Sequence, residues 1–305
     1  MHEITILSGK GGTGKTTITA AFSSLAESVV ICDSDVDAAD LFLIMQPEVK
    51  QQDAFISGWK CTIESTNCIQ CGQCVTQCRF NAIIENKDGR LAIDPFACEG
   101  CRLCERICPQ QAIVSTKNSG NTWFESETRF GPFIHAQMGV GEENSGKLVS
   151  FIRKKAKEKA IETSAQYIIS DGPPGIGCPV IASITGAKQV LLVIEPSQSG
   201  WHDASRLINL IKNFKVSVSA IINKAGIHQE LELVIKDELE KLAIPVLGEV
   251  PFSMLFRHAM IEQKNIIEYA PKSSEAEIIR SIWKALINTD KVFKLNKQES
   301  EYVRF

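Results

Sequence analysis

The chain has 305 residues, 44% of them hydrophobic and 23% charged, with a net charge of −3; that length suffices for one large domain and a small one around a real core. The slightly negative balance excludes a general nucleic-acid binder, which carries a basic excess, and no apolar run has the length of a membrane span. The start Met1-His2-Glu3-Ile4 leads straight into a strand-like run with no basic and apolar leader, so a cytoplasmic protein is expected.

Residues 3–8 form a short apolar run ending in a Gly-rich turn, and the Ala- and Ser-rich stretch 15–27 reads as a helix. Val29-Val30-Ile31-Cys32 is a second buried strand that runs into the acidic turn Asp33-Ser34-Asp35-Val36-Asp37. Residues 38–45 look helical, and Pro47 ends them. Between about 55 and 140 helix-length periodicity gives way to short strand-like pieces and cysteine turns. From 145 the alternation returns: helix 147–162, strand 166–171, a helix after Pro179, strand 189–195 and helix 201–213. Strand 216–222, helix 229–242, strand 245–250 and a last helix around 275–288 complete it, before a charged stretch, 290–305, expected to be a loose tail. Such alternation predicts an α/β fold with a parallel sheet covered on both faces.

Gly9-Lys10-Gly11-Gly12-Thr13-Gly14-Lys15-Thr16-Thr17 follows a strand and opens a helix, the context a phosphate loop requires. Its glycines let several backbone N–H groups converge on phosphate oxygens, and the helix N-terminus adds partial positive charge. Lys15 is placed to reach the β- and γ-phosphates and the Thr16 hydroxyl to ligate Mg²⁺. Asp171 ends the apolar run Tyr167-Ile168-Ile169-Ser170, and a carboxylate at such a strand end beside a phosphate loop binds Mg²⁺, usually through water. Asp33 and Asp35 end another strand; helix capping is the competing reading for both, and the stronger one for Asp37 and Asp40.

Eight of the eleven cysteines fall in two tight runs, which favours metal over a disulfide scaffold. Cys68, Cys71, Cys74 and Cys78 are repeated 30 residues later as Cys98, Cys101, Cys104 and Cys108, and both copies close on Ala-Ile. Structural zinc is the rival, although zinc sites generally use two separated Cys-x-x-Cys pairs. Cys32, Cys61 and Cys178 lie outside the runs, and structural or incidental roles are expected for them.

The two runs resemble the bacterial two-cluster ferredoxin pattern, with Arg79 where the first run would carry the proline that stands at Pro109. That resemblance implies two [4Fe-4S] clusters, one held by Cys68, Cys71, Cys74 and Cys108 and the other by Cys98, Cys101, Cys104 and Cys78. Lys10, early in the phosphate loop, resembles the signature lysine of the deviant Walker A loop in the MinD/ParA/nitrogenase-iron-protein ATPases. The resemblance implies that Lys10 reaches a partner subunit's nucleotide, unless it is simply a solvated loop lysine. It also implies that Asp35 orients the attacking water, that Asp33 sits near Mg²⁺, and that Gly172-Pro173-Pro174-Gly175 is a second switch. Asn223-Lys224 resembles the adenine-reading position, with Val250-Pro251 beside it; a cap is the alternative for Asn223. Thr128-Arg129-Phe130-Gly131, Glu143-Asn144-Ser145-Gly146-Lys147, Glu195-Pro196-Ser197 and Gly200-Trp201-His202-Asp203 also look like this group, without a chemical role that spacing supports.

The chain is thus expected to be a parallel-sheet P-loop NTPase of MinD/ParA/Mrp type with an inserted α+β ferredoxin-like domain. Residues 1–56 and 121–289 would form the ATPase domain, 57–120 the insert, and 290–305 the tail. Three functions follow. The first is a homodimeric (or paralogue-paired) ATPase, slow and partner-stimulated, whose nucleotide state governs electron transfer or docking to a redox or iron–sulfur partner. The second is an Mrp-type cluster carrier, and the third a MinD/ParA-like positioning ATPase with structural clusters.

Overall fold

A computed structural model describes residues 1–56, 58–139 and 145–302, with side chains described through 288. In chain order the elements begin β1 (His2–Ser8), α1 (Lys15–Leu25), β2 (Val29–Asp33), α2 (Leu41–Met45), β3 (Glu48–Phe55) and β4 (Gly58–Ile63). They continue α3 (Gln73–Gln77), β5 (Ile83–Glu85), β6 (Leu91–Ile93), α4 (Leu103–Ile107), β7 (Ile113–Asn118), β8 (Asn121–Thr128) and β9 (Gly131–Gln137). The remainder is α5 (Ser145–Glu162), β10 (Tyr167–Pro174), α6 (Cys178–Ile184), β11 (Gln189–Ile194), α7 (Gln198–Ile211), β12 (Ser217–Ala225), α8 (Gln229–Lys241), β13 (Val246–Pro251), α9 (Met254–Ile261), α10 (Ile266–Tyr269) and α11 (Ser274–Tyr302).

Two compact units divide the chain: Met1–Gln52 with Trp123–Gln137 and the chain from Ser145, and a second centred on Asp53–Thr122. The first holds a nine-stranded sheet in the order β13-β12-β11-β1-β10-β2-β9-β8-β3. From β13 to β9 neighbouring strands run parallel. The reason is written in the strands: all six residues of β11 and all five of β2 are buried, so both faces need cover. Alternate residues divide between two apolar layers, Leu191 and Val193 packing with Phe22, Trp283 and Leu286, and Val190, Leu192 and Ile194 with Val180, Leu207 and Ile235. Buried Arg153 ties α5 to β1 through Glu3, at 3.1 Å from Nε, and to the end of α6 through the carbonyls of Ala182 and Thr185.

Four expectations need correction. The strand expected over 166–171 spans Tyr167–Pro174, with Pro174 paired to Ser8, and only Gly175, at φ +87°, leaves it. The first helix stops at Leu25, and only Leu41–Met45 of the expected 38–45 helix is helical. At the other end α11 continues to Tyr302, where a loose tail from 290 was expected, because residues 289–302 contain no Gly or Pro to stop it.

His135 of β9 is stacked between Phe124 and Phe133, with ring centroids 4.8 and 4.4 Å away. Burial pushes its pKa down to about 4 from 6.5. As pH falls the unfolded chain takes this proton before the folded one, so stability is full above about 6.5 and declines towards 4. The loss is on the order of 3 kcal/mol. Chemical denaturation across that window should show this slope in the native chain and a flatter one in His135→Phe.

In the second unit β4 pairs antiparallel with β7, and β5 with β6. Left-handed residues recur at the 30-residue interval: Gln70 and Gly100, Gly72 and Arg102, Asn81 and Gln111. The sequence repeat is therefore a repeat of backbone conformation, with α3 and α4 each following its αL residue.

Candidate nucleotide-binding site

Every chemically distinctive strand end of the parallel sheet lies on one edge. The phosphate loop follows β1, Asp33 ends β2, Asp171 lies in β10 opposite both Ile6 and Asp33, and Asn223 of β12 lies opposite Val250. Ligands of open α/β sheets bind along this carboxyl edge. A cleft of about 550 Å³ opens there, lined by residues 11–18 of the loop and α1 and by Asp35, Asn223 and Pro251.

Gly14 takes φ +93° at the start of α1, and a Cβ on it would stand 2.2 Å from Asn223 Nδ2. That amide donates to the Thr13 carbonyl at 2.7 Å, and Lys224 Nζ to the Gly12 carbonyl at 2.9 Å, so β12 braces the loop. Gly9 has a different reason: a Cβ there would meet the Asp203 backbone of α7 at 2.3 Å. Neither Gly9 nor Lys10 lines the cleft, unlike the other loop residues Gly11, Gly12, Thr13, Gly14, Lys15, Thr16 and Thr17. Val250 is fully buried, leaving Pro251 as the lining member of its pair.

Beneath the loop lies a buried charge cluster. Lys15 Nζ stands 3.2 Å from Asp35 Oδ2 and 3.3 Å from Asp171 Oδ1, while Thr16 Oγ1 donates to Asp171 Oδ2 at 2.6 Å. Burial opposes the Lys15 charge, but Asp171, Asp35 and Asp33 outweigh it and hold its pKa above the ordinary range. Burial raises Asp33 well above a usual carboxyl, aided by Asp171 and opposed by Lys15, and burial likewise raises Asp35. Asp33 Oδ1 accepts from the Asp35 backbone N–H, whereas its fully buried Oδ2 has no partner. An orphaned carboxylate oxygen on the residue opposite Asp171, which itself accepts from Thr16, suits a Mg²⁺ shell. Among the described residues no three His, Cys, Asp or Glu side chains hold an ion unaided, but Mg²⁺ ordinarily completes its shell with waters and substrate phosphates.

Lys10 points away from the cleft. Its Nζ is 3.2 Å from Glu195 Oε1, 3.3 Å from Ser197 Oγ and 3.1 Å from Ser199 Oγ, and Lys224 takes the other Glu195 oxygen at 2.6 Å. Burial opposes ionisation of Glu195, but Lys224 and Lys10 hold its pKa below the usual value. Sequence reasoning found no role for Glu195-Pro196-Ser197; here it is the counter-surface for Lys10. Arg129, of the equally unassigned Thr-Arg-Phe-Gly segment, donates to the Ile44 and Met45 carbonyls at 2.9 Å and pairs with Glu268, anchoring the end of α2 beside the cleft. Of the 143–147 segment, Glu143 and Asn144 lie outside the described residues. Leu43, Phe252, Phe256 and Met260 form an apolar wall that the sequence did not announce. Its only signal was the Ser253 cap, whose hydroxyl accepts from Leu255 N–H to start α9.

In the second unit all eight run cysteines are free thiols, and two cavities divide them. Cys68, Cys71, Cys74 and Cys108 line one; Cys78, Cys98, Cys101 and Cys104 line the other, joined by Cys61. Among the described residues no three of these side chains form a group that would hold a metal ion. Cys32 is buried in β2 with its thiol pushed up to about 12, chiefly by burial, and Cys178 is exposed at the start of α6.

The CobQ/CobB/MinD/ParA nucleotide binding domain family matches residues 4–266. An uncharacterised Methanocaldococcus jannaschii protein is 35% identical over 74% of this chain and 79% of its own length. The septum site-determining protein MinD of Thermotoga maritima is 25% identical over 262 residues, 83% of this chain and 76% of its own length. The solved MinD of Pyrococcus horikoshii with Mg-ADP shares the fold at TM-score 0.56 and 18% identity, covering 93% of this chain and 95% of that one. These likenesses concern the nucleotide-binding fold and do not reach iron, sulfur or electron transfer.

Proposed function

The chain belongs to the CobQ/CobB/MinD/ParA nucleotide-binding family, and from that premise we propose that it is an ATP switch, hydrolysing ATP with Mg²⁺ and pairing with a second copy in the ATP state. The observation that carries this reading is the buried cluster in which Lys15 and Thr16 are held by Asp35 and Asp171 under the phosphate loop. Entering phosphates compete with the two carboxylates for Lys15, which frees Asp35 to position water at the cleft. Thr16, Asp33 and Asp171 would hold Mg²⁺, which neutralises charge on the transferring phosphate. Lys10 would exchange Glu195 for the partner copy's nucleotide, while Lys224 keeps Glu195 neutralised. Asn223 and Pro251, with the apolar wall, would receive the base.

The named relatives stand nearer to a MinD/ParA-like positioning ATPase than to an electron carrier or an Mrp-type cluster carrier, so the switch comes first. We further propose that the second unit is the expected ferredoxin-like insert and holds two [4Fe-4S] clusters. Support comes from the ferredoxin spacing and from the division of the eight cysteines between two cavities. When bound, such clusters supply one-electron transfer or a local cross-link.

Anaerobic purification tests this part: about eight irons and eight sulfides per chain are expected, falling by about half in Cys71→Ser. An iron-free protein with normal ATP turnover would remove the clusters and leave the switch. Cluster potentials that differ between ATP and ADP would favour a redox role; identical potentials, with turnover surviving cluster loss, would favour structural clusters.

A further inference from the structure

The two cysteine cavities are related by the 30-residue repeat, but they are not equivalent. Ile63 lines the first and Ile93 the second, as the repeat requires. Two residues earlier in each copy stand Cys61 and Leu91, and each lines the cavity opposite to its paired isoleucine: Leu91 the Cys68/Cys71/Cys74/Cys108 cavity, Cys61 the Cys78/Cys98/Cys101/Cys104 cavity. One cavity thus has a hydrocarbon wall where the other has a thiol. Cys61 is 7% exposed, sits opposite Ser115 on the β4–β7 ladder, and lines the same cavity as Cys98 and Cys104.

Resting on the cluster reading above, we propose that Cys61 is a positioning residue that sets the second cluster apart, its S–H donating to a sulfur of the cluster in the cavity it lines. A donor aimed at cluster sulfur favours the more negative, reduced cluster, and hydrogen bonds to the sulfurs are among the determinants of potential. The second cluster is therefore the more easily reduced of the two as far as this contact governs it. Cys61 remains protonated and is not a ligand, because four other thiols already line its cavity.

The test is a redox titration of the full-length, iron-loaded chain followed by electron paramagnetic resonance. Cys61→Ala should lower one of the two midpoint potentials and leave the other, with iron content unchanged. Cys61→Ser keeps a donor at similar volume to Ala and should retain the native potential. Leu91→Cys should raise the other potential. Equal shifts in the Ala and Ser variants, indicating packing alone, or no shift in either, would overturn the assignment of Cys61 while leaving the clusters in place. An iron-free native chain would overturn both.

Discussion

Lys15→Ala is expected to abolish ATP hydrolysis, lowering turnover by on the order of 10²–10³-fold, the usual cost of deleting one preorganised charge-stabilising donor. Two effects combine. The variant lacks the cation that meets the β- and γ-phosphates, and it leaves Asp33, Asp35 and Asp171 facing one another in a buried site. Asp33 and Asp35, whose pKa values burial already raises against the pull of Lys15, then hold protons more readily still. Groups with folded pKa values raised above their unfolded values confer stability at low pH that is lost as pH rises through the folded values. The variant should therefore be more stable in mild acid than at neutrality, relative to the native chain. Phosphate release and calorimetric ATP binding check the first effect, and denaturation at several pH values the second. Native-like turnover would remove Lys15 from the site.

Asp35→Ala should separate binding from hydrolysis. Asp35 lines the cleft, while Asp171 remains 3.3 Å from Lys15 and beside Thr16 in its absence. The ammonium therefore keeps a counter-charge, and the phosphate loop keeps its geometry. Loss of a residue that positions the attacking water costs about 10²-fold or more, while Kd for ATP should stay within a few-fold. A variant that loses binding and hydrolysis together would make Asp35 a structural member of the cluster.

What was legible in the sequence was local. The phosphate loop, Asp33, Asp35 and Asp171 could be read because each sits at the end of an apolar run, and parallel strands put such ends on one edge. The cysteine runs were legible because their spacing is itself the pattern. Contacts that join distant segments were not: Glu195 meets Lys10 across 185 residues, and Arg129 reaches Glu268 across 139. Cys61 read as incidental in sequence because only folding of the β4–β7 ladder carries it to the second cavity. The sequence also does not show α7 pressing against Gly9. The extent of β10 was missed because Gly172-Pro173-Pro174 has turn composition, yet pairing with β1 holds it extended.

The most direct test of the switch is the solution mass of the Asp35→Ala chain by light scattering, with ATP and Mg²⁺ and then with ADP and Mg²⁺. Lys10 leaving Glu195 for a second copy's nucleotide predicts paired chains with ATP, single chains with ADP, and single chains in both when Lys10→Ala is added. The same mass with ATP as with ADP, in a chain shown to bind both, would contradict it.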